Sequence, residues 1–430
     1  MREKVGMTSP QLFENVVYNM KKCFKGKIVT LDISRKTLPD LEEDTPELGV
    51  IMLPPEMSIQ QAEKCSKAGV RALIMITGGF KNHQRQQLRQ LIKEYKIRIL
   101  GPNTIMGAIN TTNGLNTTFE RDVIPTKGNI AVISQSGGVG ACLLDWACFY
   151  DIGISKFVFM GDKIDVNDID VLEYFGNDPN TKVICLYMEG IENGRKLIET
   201  ATKVVKTKPV LAVKGGITQE AARRAFSHTA SIAGTDVVFD AALRKAGVIR
   251  TQDLEELLNS AVALSKQPTL KGDNIVIVSN VGGPAILAAD AVVRSGLKLA
   301  TLSKTTRKKI ESCYPGVDAS NPIDLIADAR AERYDTALMN VLADANVDGV
   351  MIINMLKSTF FEPKDAASIE KIVKKYSTKP VVNVPMGGED FNLVREALGK
   401  TTMPLYNLPE KAAKALKALR LYEEIVEKLR

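Results

Sequence analysis

The chain has 430 residues, with 57 lysines and arginines against 50 aspartates and glutamates, for a formal net charge of +7. At about 150 residues per domain this is three domains' worth of chain, enough to bury several separate cores. Hydrophobic residues at 45% and charged residues at 25% are ordinary for a globular chain, and basic side chains are interspersed with acidic ones, which suits small anionic ligands and argues against a nucleic-acid groove. No apolar run approaches the ~18 residues of a membrane span, and Met1-Arg2-Glu3-Lys4 opens no apolar signal core, so a cytoplasmic protein is expected.

A helix is predicted from Ser9 to about Cys23, with Ser9 as cap, Pro10 in the first turn, and Leu12, Val16, Val17 and Met20 among its apolar positions. Short β-rich runs then recur at 27–33, 48–53, 71–76 and 97–100, and helical patterns at 59–68 and 84–95 separate the later ones. Strands alternating with helices predict a parallel, doubly wound sheet. Ligands of such sheets lie beyond the strand C-termini, here at Pro54-Pro55, Thr77-Gly78-Gly79-Phe80 and Gly101-Pro102-Asn103-Thr104. The usual opening strand and glycine-rich phosphate loop are missing, and Arg2-Glu3-Lys4-Val5-Gly6 reads as the tail of such a loop. His83 sits at a helix start among polar residues and reads as a solvated loop histidine. The six cysteines (Cys23, Cys65, Cys142, Cys148, Cys185, Cys313) contain no Cys-x-x-Cys pair, so reduced thiols are expected and no metal site is.

From Lys127 onward the chain reads twice. Copy one has Asn129-Ile130-Ala131-Val132-Ile133-Ser134-Gln135-Ser136-Gly137-Gly138 and then a helical run to Tyr150. Copy two has Asn274-Ile275-Val276-Ile277-Val278-Ser279-Asn280-Val281-Gly282-Gly283 and a helical run to Ser295. Each later reaches Thr-Lys-Pro-Val, at 207–210 and 378–381, followed by a strand ending in paired glycines, Gly215-Gly216 and Gly387-Gly388. Both finish with a short strand and a helix, at 247–264 and 403–419, which predicts two similar flavodoxin-like domains joined near 267–272. The stretch after the glycine pair is about twice as long in copy one, and it carries His228, one of only two histidines. A loop elongated in one copy around a rare residue is hard to explain by packing alone.

In each copy a strand meets a glycine turn and then a helix start. Backbone N–H groups at Gly137-Gly138 and Gly282-Gly283 can approach an anion, and a helix N-terminus presents about +0.5 charge. If the two domains pack pseudo-symmetrically, both starts can face one phosphoryl group; taken singly, such a turn is usually only a tight corner. With a reference pKa near ~6.5, His228 can be neutral and nucleophilic, and so can accept a phosphoryl group on one ring nitrogen. Its other nitrogen then needs an acceptor. Glu189, after the strand 183–188, stands at the right sheet edge, although a solvated strand-end carboxylate fits equally well. Lys214, Arg223 and Arg224 can supply charge along the loop; a solvated helix face explains the arginines too.

With Gly101-Pro102-Asn103, Ser134-Gln135-Ser136-Gly137, Leu186-Tyr187-Met188-Glu189-Gly190, Ser227-His228-Thr229, Gly282-Gly283-Pro284 and Asn321-Pro322-Ile323-Asp324 in that order, the chain resembles the α subunit, or α portion, of the NDP-forming acyl-CoA synthetases, relatives of succinyl-CoA synthetase. The likeness runs from Lys4 to about Arg420. It implies an α/β protein of three doubly wound domains: a Rossmann-like CoA-binding domain lacking its usual first strand (1–125), a flavodoxin-like domain with a phosphohistidine loop (126–268) and a second flavodoxin-like domain (269–430). The implied activity is that of an ADP-forming acid–thiol ligase, acyl-CoA + ADP + phosphate ⇌ carboxylic acid + CoA + ATP, through an acyl phosphate and phosphorylated His228. The resemblance makes Glu189 the residue that stabilises phosphohistidine, assigns phosphate to Ser136, Gly137, Gly138, Gly282 and Gly283, and assigns CoA to the edge with Lys4, Gly6, Pro54, Gly79 and Asn103. ADP or ATP and Mg²⁺ would bind an ATP-grasp β subunit, which nothing in this chain resembles, in an α2β2 heterotetramer; the small-molecule partners would be a carboxylic acid and phosphate, with no nucleic acid or membrane. The chain departs from the family pattern at Thr104, where cysteine is usual, and at Asn82, where glutamate is common. The alternative is a non-catalytic acyl-CoA- or nucleotide-sensing relative that has lost productive CoA binding. An NAD-binding Rossmann protein fits poorly, because no Gly-x-Gly-x-x-Gly follows a first strand.

Overall fold

The computed structural model describes residues 10–30, 45–218, 220–221, 236–357, 359–376 and 378–429. Its chain divides into two compact units, Met1–Arg250 and Thr251–Arg430.

The first unit contains two sheets. After helix α1 (Pro10–Cys23), the strands β1 (Leu48–Ile51), β2 (Ala72–Met75) and β3 (Arg98–Leu100) alternate with helices α2 (Pro55–Lys67) and α3 (Asn82–Tyr95). They form a parallel three-stranded sheet in the order β1-β2-β3. Pro55 supplies the fixed φ of a first helical turn, so α2 starts four residues earlier than its apolar periodicity predicts. The strand expected at 27–33 is not there: 27–30 carry no strand, and 31–33 lie outside the described residues. Its β-branched residues, Ile28, Val29 and Thr30, favour extended backbone, but local propensity without a pairing partner does not make a strand.

The larger sheet of this unit adds the hairpin β4 (Ala108–Asn110) and β5 (Leu115–Asn116), then β6 (Lys127–Ser134), α4 (Gly137–Phe149), β7 (Ile154–Phe159), α5 (Asp168–Asn177), β8 (Val183–Met188), α6 (Gly194–Val205), β9 (Val210–Lys214), α7 (Asp236–Ala246) and β10 (Ile249–Thr251). The strand order is β10-β9-β8-β6-β7-β4-β5, with β6 to β9 parallel and the hairpin antiparallel at one edge. The hairpin turn needs glycine at Gly114, where φ is +79° and a Cβ would stand 1.8 Å from the Cys23 carbonyl oxygen. Helix α1 is tied to this edge by the buried Asn19, whose amide donates to the carbonyls of Thr118 and Glu120.

The second unit runs through α8 (Leu254–Lys266), β11 (Asn274–Ser279), α9 (Gly282–Arg294), β12 (Lys298–Leu299), α10 (Lys304–Cys313), β13 (Ile323–Asp324), α11 (Ala331–Ala343), β14 (Gly349–Asn354), α12 (Pro363–Tyr376), β15 (Val381–Pro385), α13 (Gly388–Leu398) and α14 (Pro409–Leu429). Its parallel sheet has the order β12-β11-β14-β15, and β13 also pairs with β11. Successive residues of β11 feed opposite cores: Val276 and Val278 pack with Tyr334 and Leu338, while Ile275 and Ile277 pack with Ala412 and Leu416. All six residues of β14 are buried, as expected of a central parallel strand covered on both faces, where each apolar side chain stabilises by roughly 1.5–3 kcal/mol. Helix α8 closes copy one in the sequence but packs along α14, with Lys414 bridging to Glu256 and the Tyr406 hydroxyl donating to the Asn259 carbonyl. The strand expected at 403 is reduced to an isolated bridge between Asn383 and Leu405. Pro404 has no N–H to donate, so pairing is limited to its carbonyl and to the N–H of Tyr406.

Candidate active site

The repeat read from the sequence is built twice with the same hydrogen bonds. In copy one the Ser134 hydroxyl donates to the Ser136 carbonyl (2.7 Å) and accepts from the Ser136 N–H (3.3 Å). In copy two Ser279 does the same to Val281 at 2.8 and 3.1 Å. Each serine closes the corner between strand and helix, so α4 and α9 start immediately beyond the sheet. Ser136 also caps α4, accepting from the Val139 N–H at 3.5 Å, whereas Val281 gives α9 no side-chain cap. Gly138 and Gly283 face open space, with no heavy atom within 4 Å of where a Cβ would stand. Asp324 lies beside the copy-two corner, 3.3 Å from the Cβ position of Gly282.

The residue after the corner serine grips the next strand's end. The Gln135 Oε1 accepts the N–H groups of Glu189 (2.7 Å) and Gly190 (3.1 Å), and its Nε2 donates to the Gly190 carbonyl (2.9 Å). Asn280 makes the shorter version in copy two, accepting from Met355 N–H (3.1 Å) and donating to its carbonyl (3.0 Å). In the sequence Gln135 stands out only as part of Ser134-Gln135-Ser136-Gly137. An amide side chain at the same place in both copies was the signal that could have singled it out.

Glu189 is buried, with 8% of its surface exposed, and accepts a 3.3 Å hydrogen bond from the Tyr187 hydroxyl on its Oε1. Burial, and then the Glu189 carboxylate, push the Tyr187 phenol up to about 12. Sheet register sets Lys214 opposite Met188, one residue before Glu189, and the buried Lys214 ammonium donates to the Glu189 carbonyl at 2.9 Å and to the Gly215 carbonyl. Burial pulls that ammonium below the usual lysine range, against the opposing influence of Asp236 and Glu189. Gly215 admits no side chain, since a Cβ there would stand 2.5 Å from the Tyr187 hydroxyl oxygen. On the C-terminal side of the segment containing His228, Arg250 pairs with Asp236 (2.7 Å) and Asp240 (3.2 Å). Both ends of the segment containing His228 are therefore anchored, while His228 itself, with Arg223 and Arg224, lies outside the described residues.

The C-terminal edge of the three-stranded sheet brings together Pro54, Gly79 and Asn103; Lys4 and Gly6 lie outside the described residues. Pro54 precedes α2, and Gly79 has φ +84° with open space at its Cβ position. Asn103, at φ +64°, donates through Nδ2 to Asp162 at 3.1 Å. Asp162 also pairs with Arg85 at 2.6 Å, so the loop after β7 is fastened to this edge. Thr104 is fully buried and its hydroxyl donates to the Phe159 carbonyl at 2.5 Å. Asn82 and His83 are exposed on the first turn of α3. A cavity of about 250 Å³ between the starts of α5 and α6 is lined by Lys163, Asp168, Met188, Glu192 and Lys196, residues brought together by no sequence motif.

Fold and site together define a parallel-sheet α/β protein whose repeated strand–glycine–helix corners suit anions and whose acidic strand end, Glu189, is joined by Lys214 to the end of β9. The profile of the succinyl-CoA ligase like flavodoxin domain matches residues 127–264. The acetate–CoA ligase [ADP-forming] II subunit alpha of Pyrococcus furiosus is 36% identical over 94% of this chain and 92% of its own length. The acetate–CoA ligase [ADP-forming] of Methanocaldococcus jannaschii is 37% identical over 90% of this chain, which spans 56% of that longer protein. A solved dinucleotide forming acetyl-coenzyme A synthetase 1 from Ca. Korarchaeum cryptofilum, in complex with phosphate and ADP, superposes with a TM-score of 0.87 at 31% identity, over 97% of this chain and 93% of that one. The chain belongs to the family of ADP-forming acyl-CoA synthetase α subunits. The alternative of a non-catalytic sensor finds no support among these relatives, which are ligases. Among the described residues, no helix is long and apolar enough to cross a membrane.

Proposed function

We propose that the chain catalyses the acyl-transfer half of ADP-forming acyl-CoA synthesis, with His228 as the phosphoryl carrier. A phosphate oxygen attacks the thioester carbonyl carbon, the C–S bond breaks, and CoA leaves as its thiol after taking up a proton. A ring nitrogen of His228 then attacks the phosphorus of the acyl phosphate; the P–O bond to the acyl group breaks and the carboxylate departs. ADP finally takes the phosphoryl group as the P–N bond breaks, giving ATP. Ser136, Gly137 and Gly138 bind phosphate at the start of α4, and Gly282 and Gly283 do so at the start of α9. Glu189 accepts from the second ring nitrogen of His228 and stabilises the charged phosphoimidazole.

The observation that carries this reading is the asymmetry of the repeat: copy one holds a buried carboxylate, Glu189, beside the end of β9, from which the chain runs on to His228, where copy two has Met355 in the same register. On this reading 1–125 form the CoA-binding domain, 126–268 the phosphohistidine domain and 269–430 the second flavodoxin-like domain. CoA lies along the edge with Pro54, Gly79 and Asn103, extended by Lys4 and Gly6; the open approach at Gly79 fits a ligand lying against backbone there. Nucleotide and Mg²⁺ are held by a separate ATP-grasp β subunit in an α2β2 assembly, and the longer single-chain relative is consistent with such a partner. The protein then works in the cytoplasm.

The test is incubation of the chain with acetyl-CoA and labelled inorganic phosphate. Acid-labile, base-stable label on His228, absent from His228→Ala of unchanged melting temperature, is expected. Label at another residue, or none with either acetyl-CoA or ATP and a competent β subunit, would refute the assignment.

A further inference from the structure

The Glu189 turn and the Gly215 turn follow neighbouring strands, β8 and β9, and the buried Lys214 ammonium joins them. Lys214 is 4% exposed, and its ammonium donates to the Glu189 carbonyl and to the Gly215 carbonyl while lying 5.3 Å from the centre of the Phe239 ring. The hydrogen-bond acceptors are carbonyls, so this buried charge is solvated by dipoles and an aromatic face, an arrangement costlier to maintain than a neutral side chain of the same size. The fold itself does not require it. In copy two the register places Pro385 where copy one has Lys214, yet the same strand-end hydrogen bond forms: Met386 N–H to Asn354 carbonyl at 2.8 Å, matching Gly215 N–H to Met188 carbonyl at 2.8 Å. The lysine accompanies the carboxylate and the longer segment that carries His228, and is absent where both are absent.

We propose, on the basis of the phosphohistidine function above, that Lys214 is a positioning residue: its ammonium locks the Glu189 turn to the end of β9 at Gly215, and so holds the Glu189 carboxylate in place for its role. It acts through Glu189 and touches neither phosphate nor acyl group.

The experiment follows labelling of His228 from acetyl-CoA and labelled phosphate in the wild type, Lys214→Met, Glu189→Gln and the double variant, with thermal melts of each. Lys214→Met should slow labelling about 10- to 100-fold, the range for loss of a hydrogen bond to a charged group, with the phosphate KM little changed. The double variant should be slowed no more than about threefold beyond the slower single variant, because both substitutions disable one device. Multiplicative effects, a raised phosphate KM with unchanged labelling rate, or wild-type labelling by Lys214→Met would overturn the proposal. Should Lys214→Met fail to fold, Lys214→Gln is carried through the same cycle with the same criteria. An unlabelled wild type would remove the underlying function and this role with it.

Discussion

Replacing Gln135 by alanine tests whether the Glu189 turn is held by the amide clamp. The side chain is 7% exposed, and its loss strips partners from the N–H groups of Glu189 and Gly190 and from the Gly190 carbonyl. At about 1 kcal/mol net per hydrogen bond, and more wherever water cannot reach the orphaned group, the expected destabilisation of the first unit is about 3 kcal/mol. For a unit of this size that corresponds to a fall in melting temperature of roughly 6–12 °C. Displacing the turn by even ~1 Å also moves Glu189 relative to His228, and a misplacement of that order costs about 100-fold in rate. Differential scanning calorimetry measures the first effect and His228 labelling the second. A melting shift under about 2 °C together with wild-type labelling would refute the reasoning, since a clamp with three bonds cannot be dispensable on both counts. Asn280→Ala supplies the comparison: it removes the equivalent bonds to Met355 and should lower the stability of the second unit to a similar degree.

Two further outcomes are expected. Glu189→Gln should slow labelling of His228 about 10-fold or more, because a neutral amide offsets imidazolium charge poorly, and it should lower the Tyr187 pKa from about 12, as the carboxylate is one of the causes raising it; ¹³C-tyrosine NMR would detect the shift, and an unmoved resonance would dissociate the two groups. At Asp178 burial raises the carboxyl pKa, but hydrogen bonds from Lys156, Thr181 and Asn180 outweigh it and hold the group down to about 2. Because the folded value lies below the unfolded ~3.9, this carboxylate contributes roughly 2 kcal/mol that is in place above about pH 4 and disappears as pH falls through 2. Urea denaturation of the wild type and Asp178→Asn should therefore differ widely at pH 7 and converge toward pH 2; a pH-independent difference would contradict this sign.

The strand–glycine–helix corners and their duplication were legible because they rest on local facts: a run of β-branched residues, a glycine pair, an amphipathic continuation, and the same letters again further along the chain. The likeness of Ser134 to Ser279 and of Gln135 to Asn280 was present in the letters as well, and hydrogen-bond geometry gave it a purpose. Pairing partners were not legible. The stretch 27–33 has extended-favouring residues, yet 27–30 carry no strand, since a strand exists only where a neighbour accepts its ladder. The helix at Leu254–Lys266 follows copy one in sequence, but its apolar face is satisfied by Pro409–Leu429, more than a hundred residues away, a choice that only packing could make.

The candidate site divides along the same line. Glu189 and the glycine pairs stood out as candidates from residue type and position at strand ends, Ser136 from the family resemblance, and by itself the sequence determined that one copy of the repeat carries a long histidine-bearing insertion and the other does not. Only tertiary structure decided that Lys214 stands beside Glu189. The two are separated by a whole helix in the chain, and the parallel register of β8 with β9, set by buried side chains on both faces of the sheet, brings the ammonium within 2.9 Å of the Glu189 carbonyl. Sequence specifies which groups exist and what local backbone they favour. Which of them become neighbours depends on how whole strands and helices cover one another's apolar surfaces, a sum over many contacts that no short stretch of the chain contains.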